Sequence, residues 1–265
     1  MVLDGKIISD AILNNLNIKG KKLVVISVGN DKRAISYLRG IESKASKVGV
    51  IVEHLSLNSD TTNDEYIKQI LLLNDTADAI LLLTPLEEHL NLNEIVGNLD
   101  NKKDVDCLTK YNNGRFYLST NEVVSPCTAL AVMEIFKFNK YDLTSKKVCI
   151  VGASNIVGKP LTKLMLSANA TVTVCNYYTN DLAKHTSESD IIVMACGVPK
   201  LLKKEYIKNN AIIIDVGINF VDGKLCGDVD YEDCSLKSKF ITTVPGGVGS
   251  ITSSIIFKNM SLLNK

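Results

Sequence analysis

Short apolar runs of strand length recur along almost the whole chain, separated by longer amphipathic stretches, and this alternation limits the fold more than any other feature. The runs are "KLVVISVG" (22–29), "VIVEHLSL" (50–57), "DAILLL" (78–83), "KVCIVG" (147–152), "TVTVCN" (171–176), "DIIVMAC" (190–196), "AIIIDVG" (211–217) and "FITTVPG" (240–246). Between them, 32–48, 62–74, 128–138, 158–168 and 249–262 are predicted helices. That rhythm predicts βαβ units around largely parallel sheets. Residues 100–128 interrupt it, being rich in Asn, Lys and Asp with no sustained period of either type. The predicted boundary therefore lies there, with one α/β domain over 1–119 and a second, nucleotide-binding one over 120–249. The final helix, 250–265, is expected to pack back on the first.

Composition narrows the function. An apolar share of 46% supplies a packed core, and 30 Lys plus Arg against 29 Asp plus Glu leaves a net charge of +1. Nothing in that balance favours nucleic acid or an anionic membrane, and no apolar run approaches the ~18 residues of a membrane span. The expected ligand is small and polar. Seven scattered cysteines, with no C-x-x-C pair and no nearby histidine, read as reduced, buried thiols of a cytosolic protein and not as metal ligands. The opening "MVLDGKIISD" carries early charges and no apolar core, unlike a signal peptide.

The strongest local motif is "KKVCIVGASNIVGKPL", a short strand, a turn with Gly152, Ser154 and Gly158, and then a helix-like run. Gly152 permits a tight turn, and a small residue at 154 lets backbone N–H groups approach a pyrophosphate at the positive end of the helix. The spacing departs from G-x-G-x-x-G, so a purely structural turn is the competing reading. Neither the acidic residue expected on an NAD ribose nor an arginine for a 2′-phosphate stands in "VCNYYTND", where Asn176, Tyr177 and Tyr178 occupy the place. NAD and NADP therefore both stay open. Asp215 and Gly217 in "IIIDVGIN", and Gly246, Gly247 and Gly249 in "TVPGGVGSIT", mark further strand ends where backbone and ligand can meet closely, or where the chain merely turns.

Taken together, "VGASNIVGKP", "DVGIN", "GDV" (227–229) and "VPGGVG" resemble the bifunctional methylenetetrahydrofolate dehydrogenase/cyclohydrolase family. The N-terminal half agrees through "LDGK" (3–6), "VG" (28–29), Tyr37 twelve residues before Gly49, "KDVD" (103–106), "NNGR" (112–115) and "PCT" (126–128). The resemblance implies two α/β domains flanking a cleft, the C-terminal one Rossmann-like, in a cytoplasmic homodimer. It implies hydride transfer from 5,10-methylenetetrahydrofolate to NAD or NADP, giving 5,10-methenyltetrahydrofolate, which many members then hydrolyse. Tyr37 and Asp106 would be the catalytic and folate-binding residues, with Pro245, Gly246 and Gly247 also against substrate. Gly152, Ala153, Ser154, Ile156, Val157, Gly158, Tyr177, Gly197 and Ile218 would contact the dinucleotide.

This chain departs from the pattern on the folate side. The family's proton-handling lysine, four residues after the tyrosine, is Ile41, and its strand-end glutamine is Leu83. Lys32, Arg33 and Ala34 replace a P-A-S segment, and Ala153 stands where some relatives carry arginine. Losing one proton-handling partner would strand the other as a buried polar group, whereas two aliphatic replacements are mutually consistent. The expectation is a dehydrogenase with weak or absent cyclohydrolase activity. Alternatives are a catalytically silent nucleotide-binding relative and a dehydrogenase of another small substrate. Lys44, seven residues beyond Tyr37, returns to nearly the same helix face and is the one candidate substitute base. His54, His89 and His185 lie outside every motif and are expected to be structural or surface residues.

Overall fold

A computed structural model describes residues 3–29 and 32–263, without the side chains of Lys32 and Arg33. Its contacts divide the chain into two compact units, residues 11–127 with 253–265, and residues 1–10 with 128–252. In chain order the first half carries α1 (Gly5–Leu13), β1 (Lys22–Val28), α2 (Lys32–Val48), β2 (Ile51–Leu57), α3 (Asn63–Thr76), β3 (Ala79–Leu82), α4 (Leu92–Val96) and α5 (Lys110–Leu118). Its strands form one parallel sheet in the order β2-β1-β3. Strands β1 and β3 are buried almost throughout, as parallel strands covered on both faces must be, whereas edge strand β2 is largely exposed. Val24, Ile26, Tyr66, Ile70, Ile80, Leu82 and Ile95 form the core beneath α3 and α4. Leu38, Ile41 and Ala45 form the buried stripe of α2, at helical spacing. Helix α3 starts in a capping box, with Thr62 Oγ1 accepting the Glu65 N–H and Glu65 Oε2 accepting the Thr62 N–H.

Residues 100–128 correct the sequence-based expectation, because they contain α5. That helix buries only Asn112 and Phe116, so it offers no apolar stripe to read. A carboxylate organises its start. Asp104, 1% exposed, accepts the N–H groups of Leu108 and Thr109 at 2.9 Å each, the Thr109 hydroxyl at 2.8 Å and Asn112 Nδ2 at 3.0 Å. Thr109 Oγ1 in turn accepts the Asn112 N–H and caps the helix.

The second half carries α6 (Cys127–Phe138), β4 (Lys147–Val151), α7 (Gly158–Ser167), β5 (Thr171–Cys175), α8 (Leu182–Ser187), β6 (Ile191–Met194), β7 (Ile212–Asp215), the hairpin β8 (Asn219–Val221) and β9 (Lys224–Cys226), α9 (Tyr231–Ser235), β10 (Phe240–Ile241) and α10 (Val248–Met260). Its main sheet is parallel in the order β10-β7-β6-β4-β5. All eight predicted strands and all five predicted helices are present, with ends shifted by a few residues. The sequence reading missed the short helices α4, α8 and α9, the hairpin, and α1.

Two buried aspartates join the strand ends of this unit. Asp215 accepts the N–H groups of Gly217, Asp228 and Val229, each at 3.0 Å, and burial pushes its carboxyl up to about 6 against those three donors. Asp228, fully buried, accepts the N–H groups of Cys196 and Gly197 and the Asn219 amide at 2.8–2.9 Å. Each carboxylate lies against the other motif's glycine. A methyl at Gly217 would sit 2.2 Å from Asp228 Oδ1, and one at Gly227 would sit 1.8 Å from Asp215 Oδ2. Gly227→Ala is therefore expected to destabilise the protein by about 3 kcal/mol in urea unfolding. Gly40→Ala, in α2 with open space around the added methyl, is expected to stabilise by roughly 0.5–1 kcal/mol.

Candidate functional site

Strand β4 lies between β5 and β6, so successive crossovers leave it in opposite directions and open a crevice at its carboxyl end. The turn 152–157 lies there. Gly152 has φ +121°, and a side chain on it would strike the Ala195 carbonyl at 2.1 Å, while one on Gly158 would strike the Gly152 carbonyl at 1.9 Å. Only glycine lets the turn, the end of β6 and the start of α7 approach this closely. No side chain caps α7 at Val157, and Ser154 Oγ accepts the Val157 N–H at 3.1 Å. The turn thus combines close backbone approach with the positive end of a ten-residue helix, features that fit a pyrophosphate. Ala153, Ile156 and Val157 are half-buried around it.

The other expected dinucleotide positions cluster at the same sheet edge. Tyr177 follows β5 at 94% exposure, in edge contact with Tyr178. Gly197 follows β6 at φ +70° with open space beside it, and exposed Ile218 follows β7. The loop after β10 contains cis Pro245, exposed, and Gly246 at φ +100°. Gly247 is buried, and a Cβ there would lie 2.5 Å from the Thr243 carbonyl. Gly5, from "LDGK", donates its N–H to the Gly246 carbonyl at 3.0 Å, and any side chain on it would meet Gly247 O at 2.2 Å.

In the unit holding 11–127, Tyr37 of α2 and Asp106 are brought together beside Cys127. Asp106 Oδ1 accepts the Cys127 N–H at 3.1 Å. Burial raises the Asp106 carboxyl to about 6, the Cys127 hydrogen bonds oppose the rise, and the Asp104 charge adds to it. The Tyr37 hydroxyl is held well above its ordinary range by burial, then by Cys127 and Asp106. It stays protonated at any physiological pH. Ile41, one turn along α2, is 0% exposed, and Leu83, beyond β3, is 7% exposed. Lys44 is half-buried.

Residues 3–106 match the family described as tetrahydrofolate dehydrogenase/cyclohydrolase, catalytic domain, and residues 126–265 match its NAD(P)-binding domain. The chain belongs to this family. It is 40% identical over 271 residues to the bifunctional protein FolD of Alkaliphilus metalliredigens, covering 98% of this chain and 95% of the relative. The crystal structure of the bifunctional methylenetetrahydrofolate dehydrogenase/cyclohydrolase of Campylobacter jejuni superposes with TM-score 0.91 at 36% identity, covering 98% of this chain and 97% of that one. A Trypanosoma brucei methylenetetrahydrofolate dehydrogenase-cyclohydrolase, complexed with NADP and inhibitor, gives TM-score 0.92 at 30% identity, covering 100% and 97%.

Within this dehydrogenase/cyclohydrolase framework, the two aspartates of "KDVD" play unlike parts. Asp104 is a buried capping hub that motif reading passed over, because a lone Asp in a polar stretch carries no signal beyond its spacing to Thr109. Asn259, which also touches this region, was missed likewise, and Cys127 was noted only within "PCT", with no role. His54 and His89 are engaged locally, with Ser27 Oγ and the Thr61 carbonyl. Asp104→Ala is expected to cost about 3 kcal/mol, since it leaves several buried donors unpaired. Asp106 behaves differently with pH. Its native pKa of about 6 exceeds the ordinary 3.8, so its contribution to stability is full below about 4 and is lost as pH rises through 6. Denaturant titrations from pH 4 to 7 should therefore show Asp106→Asn gaining stability relative to wild type as pH rises.

Proposed function

We propose that the chain is a methylenetetrahydrofolate dehydrogenase whose cyclohydrolase step is weak or absent. Family membership makes it an NAD(P)-dependent oxidoreductase of one-carbon metabolism. The finer claim is carried by one observation: the two positions that would handle protons in hydrolysis hold Ile41 and Leu83, both aliphatic and buried.

Hydride transfer asks little proton chemistry of the protein, because the folate nitrogens stabilise the product cation. The nicotinamide ring, when bound, accepts the hydride. What the chain must supply is alignment. In this reading Tyr37 offers its ring face to the folate and stays protonated. Asp106, ionised above about pH 6, accepts hydrogen bonds from the pterin. Pro245, Gly246 and Gly247 approach the substrate through backbone, while 152–158, Tyr177, Gly197 and Ile218 hold the dinucleotide. The division of labour follows 1–119 with 250–265 for folate and 120–249 for cofactor.

Ring opening of the product requires a group that gives and takes protons near neutrality, as a desolvated lysine does. At position 41 no such group exists. The turn after β5 supports NAD over NADP, since no Lys or Arg occurs from Thr171 to Ala183. Seven free thiols support a reducing, cytoplasmic setting. The homodimer expected from the resemblance completes the proposal and is checked by light scattering.

Assayed with methylenetetrahydrofolate and each cofactor in turn, the protein is expected to reduce NAD more efficiently than NADP and to accumulate methenyltetrahydrofolate. Enzyme-dependent formation of 10-formyltetrahydrofolate would refute the assignment, and Lys44→Ala would then locate the base. The paired change Ile41→Lys with Leu83→Gln is expected to confer hydrolysis. Ile41→Lys alone should be less stable than the pair by roughly 1–3 kcal/mol, because its buried amine lacks a partner.

A further inference from the structure

Helix α10 ends beside the segment that carries Asp106. Asn259, on its last turn, is 0% exposed and makes four polar contacts there. Its Nδ2 donates to the Val105 carbonyl at 2.8 Å and the Ser125 carbonyl at 2.7 Å, with Cys127 Sγ farther off at 3.4 Å. Its Oδ1 accepts the Ser125 N–H at 3.3 Å. The amide orientation is forced, since flipping it would set an oxygen against two carbonyls.

Those partners bear on Asp106 from two directions. The Val105 carbonyl belongs to the same peptide plane as the Asp106 N–H, so fixing it sets where the Asp106 side chain departs. Ser125, bound through both its N–H and its carbonyl, anchors the segment leading to Cys127, whose N–H donates to Asp106 Oδ1 at 3.1 Å. The Cys127 thiol also donates to the Val105 carbonyl at 3.3 Å, closing the ring of contacts. Immediately after Asp106, Cys107 has φ +58°, a left-handed conformation that costs a residue with a Cβ about 1–2 kcal/mol. Such backbone persists only where its surroundings over-determine it.

We propose that Asn259 is a positioning residue for the dehydrogenase, holding the Asp106 carboxylate in the orientation that receives the pterin. The proposal rests on the reading of Asp106 as a folate ligand, and the experiment separates the two. Asn259→Leu removes the donors and the acceptor at similar volume, and Asn259→Ser keeps one donor and leaves space for water. For each, the KM for methylenetetrahydrofolate, kcat, dinucleotide affinity by calorimetry, the pH profile of kcat/KM and the melting temperature are measured, with Asp106→Asn alongside. Expected in both variants is a rise in folate KM of roughly tenfold or more, with kcat and dinucleotide affinity changed less than about threefold. The acid limb of kcat/KM, governed by Asp106 in wild type, is expected to shift, and the shift should be smaller in Asn259→Ser.

A lowered melting temperature with unchanged folate KM and pH profile would overturn the proposal and leave Asn259 a structural cross-link. Failure of both variants to fold would overturn it equally. If Asp106→Asn itself leaves the folate KM unchanged, it is the folate-ligand reading that falls.

Discussion

Buried carboxylates that collect backbone N–H groups hold together the parts of this protein on which its chemistry depends. An ionised carboxylate removed from water is costly unless its lone pairs are filled, and filling them draws several chain segments to one point. Asp104 does this for the polar segment that begins α5, and Asp215 and Asp228 do it for the ends of β6 and β7. The loops nearest the expected ligands are therefore fixed by hydrogen bonds, while the apolar layers lie behind them in the sheets.

This construction suits a reaction that needs alignment more than proton traffic. Tyr37 keeps its proton throughout the physiological range, and position 41 is dry. In the proposed reading, what is preserved is the geometry of the surfaces that would hold the two ligands. What would be replaced is the means of moving protons, and the replacements are consistent with each other: an aliphatic pair at 41 and 83 strands no polar partner at those two positions.

The strands and long helices were legible because each buries a continuous run or a stripe, which leaves a period in the residues. Helix α5 was not, because its stability comes from Asp104 and Thr109 at its start and only two of its side chains are buried. The glycine turn at 152–158 was legible as close approach, yet residue types alone did not distinguish a ligand from the chain as the thing approached. In the structure the hypothetical side chains of Gly152 and Gly158 meet carbonyls of the chain itself. Tyr37 and Asp106 could be named from the family resemblance. Asn259 could not, since its partners lie more than 130 residues earlier and no local pattern records them.

The reciprocal seating of Asp215 on Gly227 and of Asp228 on Gly217 also bears on how such a sequence can drift. Neither glycine can take a side chain without the facing aspartate moving, so single-step replacement of Gly217 or Gly227 is opposed in each motif. That barrier arises from steric fit inside the fold and is indifferent to turnover. A descendant that had stopped reacting with any folate would still be held to glycine at 217 and 227. Retention of these glycines is a record of inherited architecture, and evidence of living chemistry has to be sought at positions where the residue type decides proton handling, such as 41 and 83.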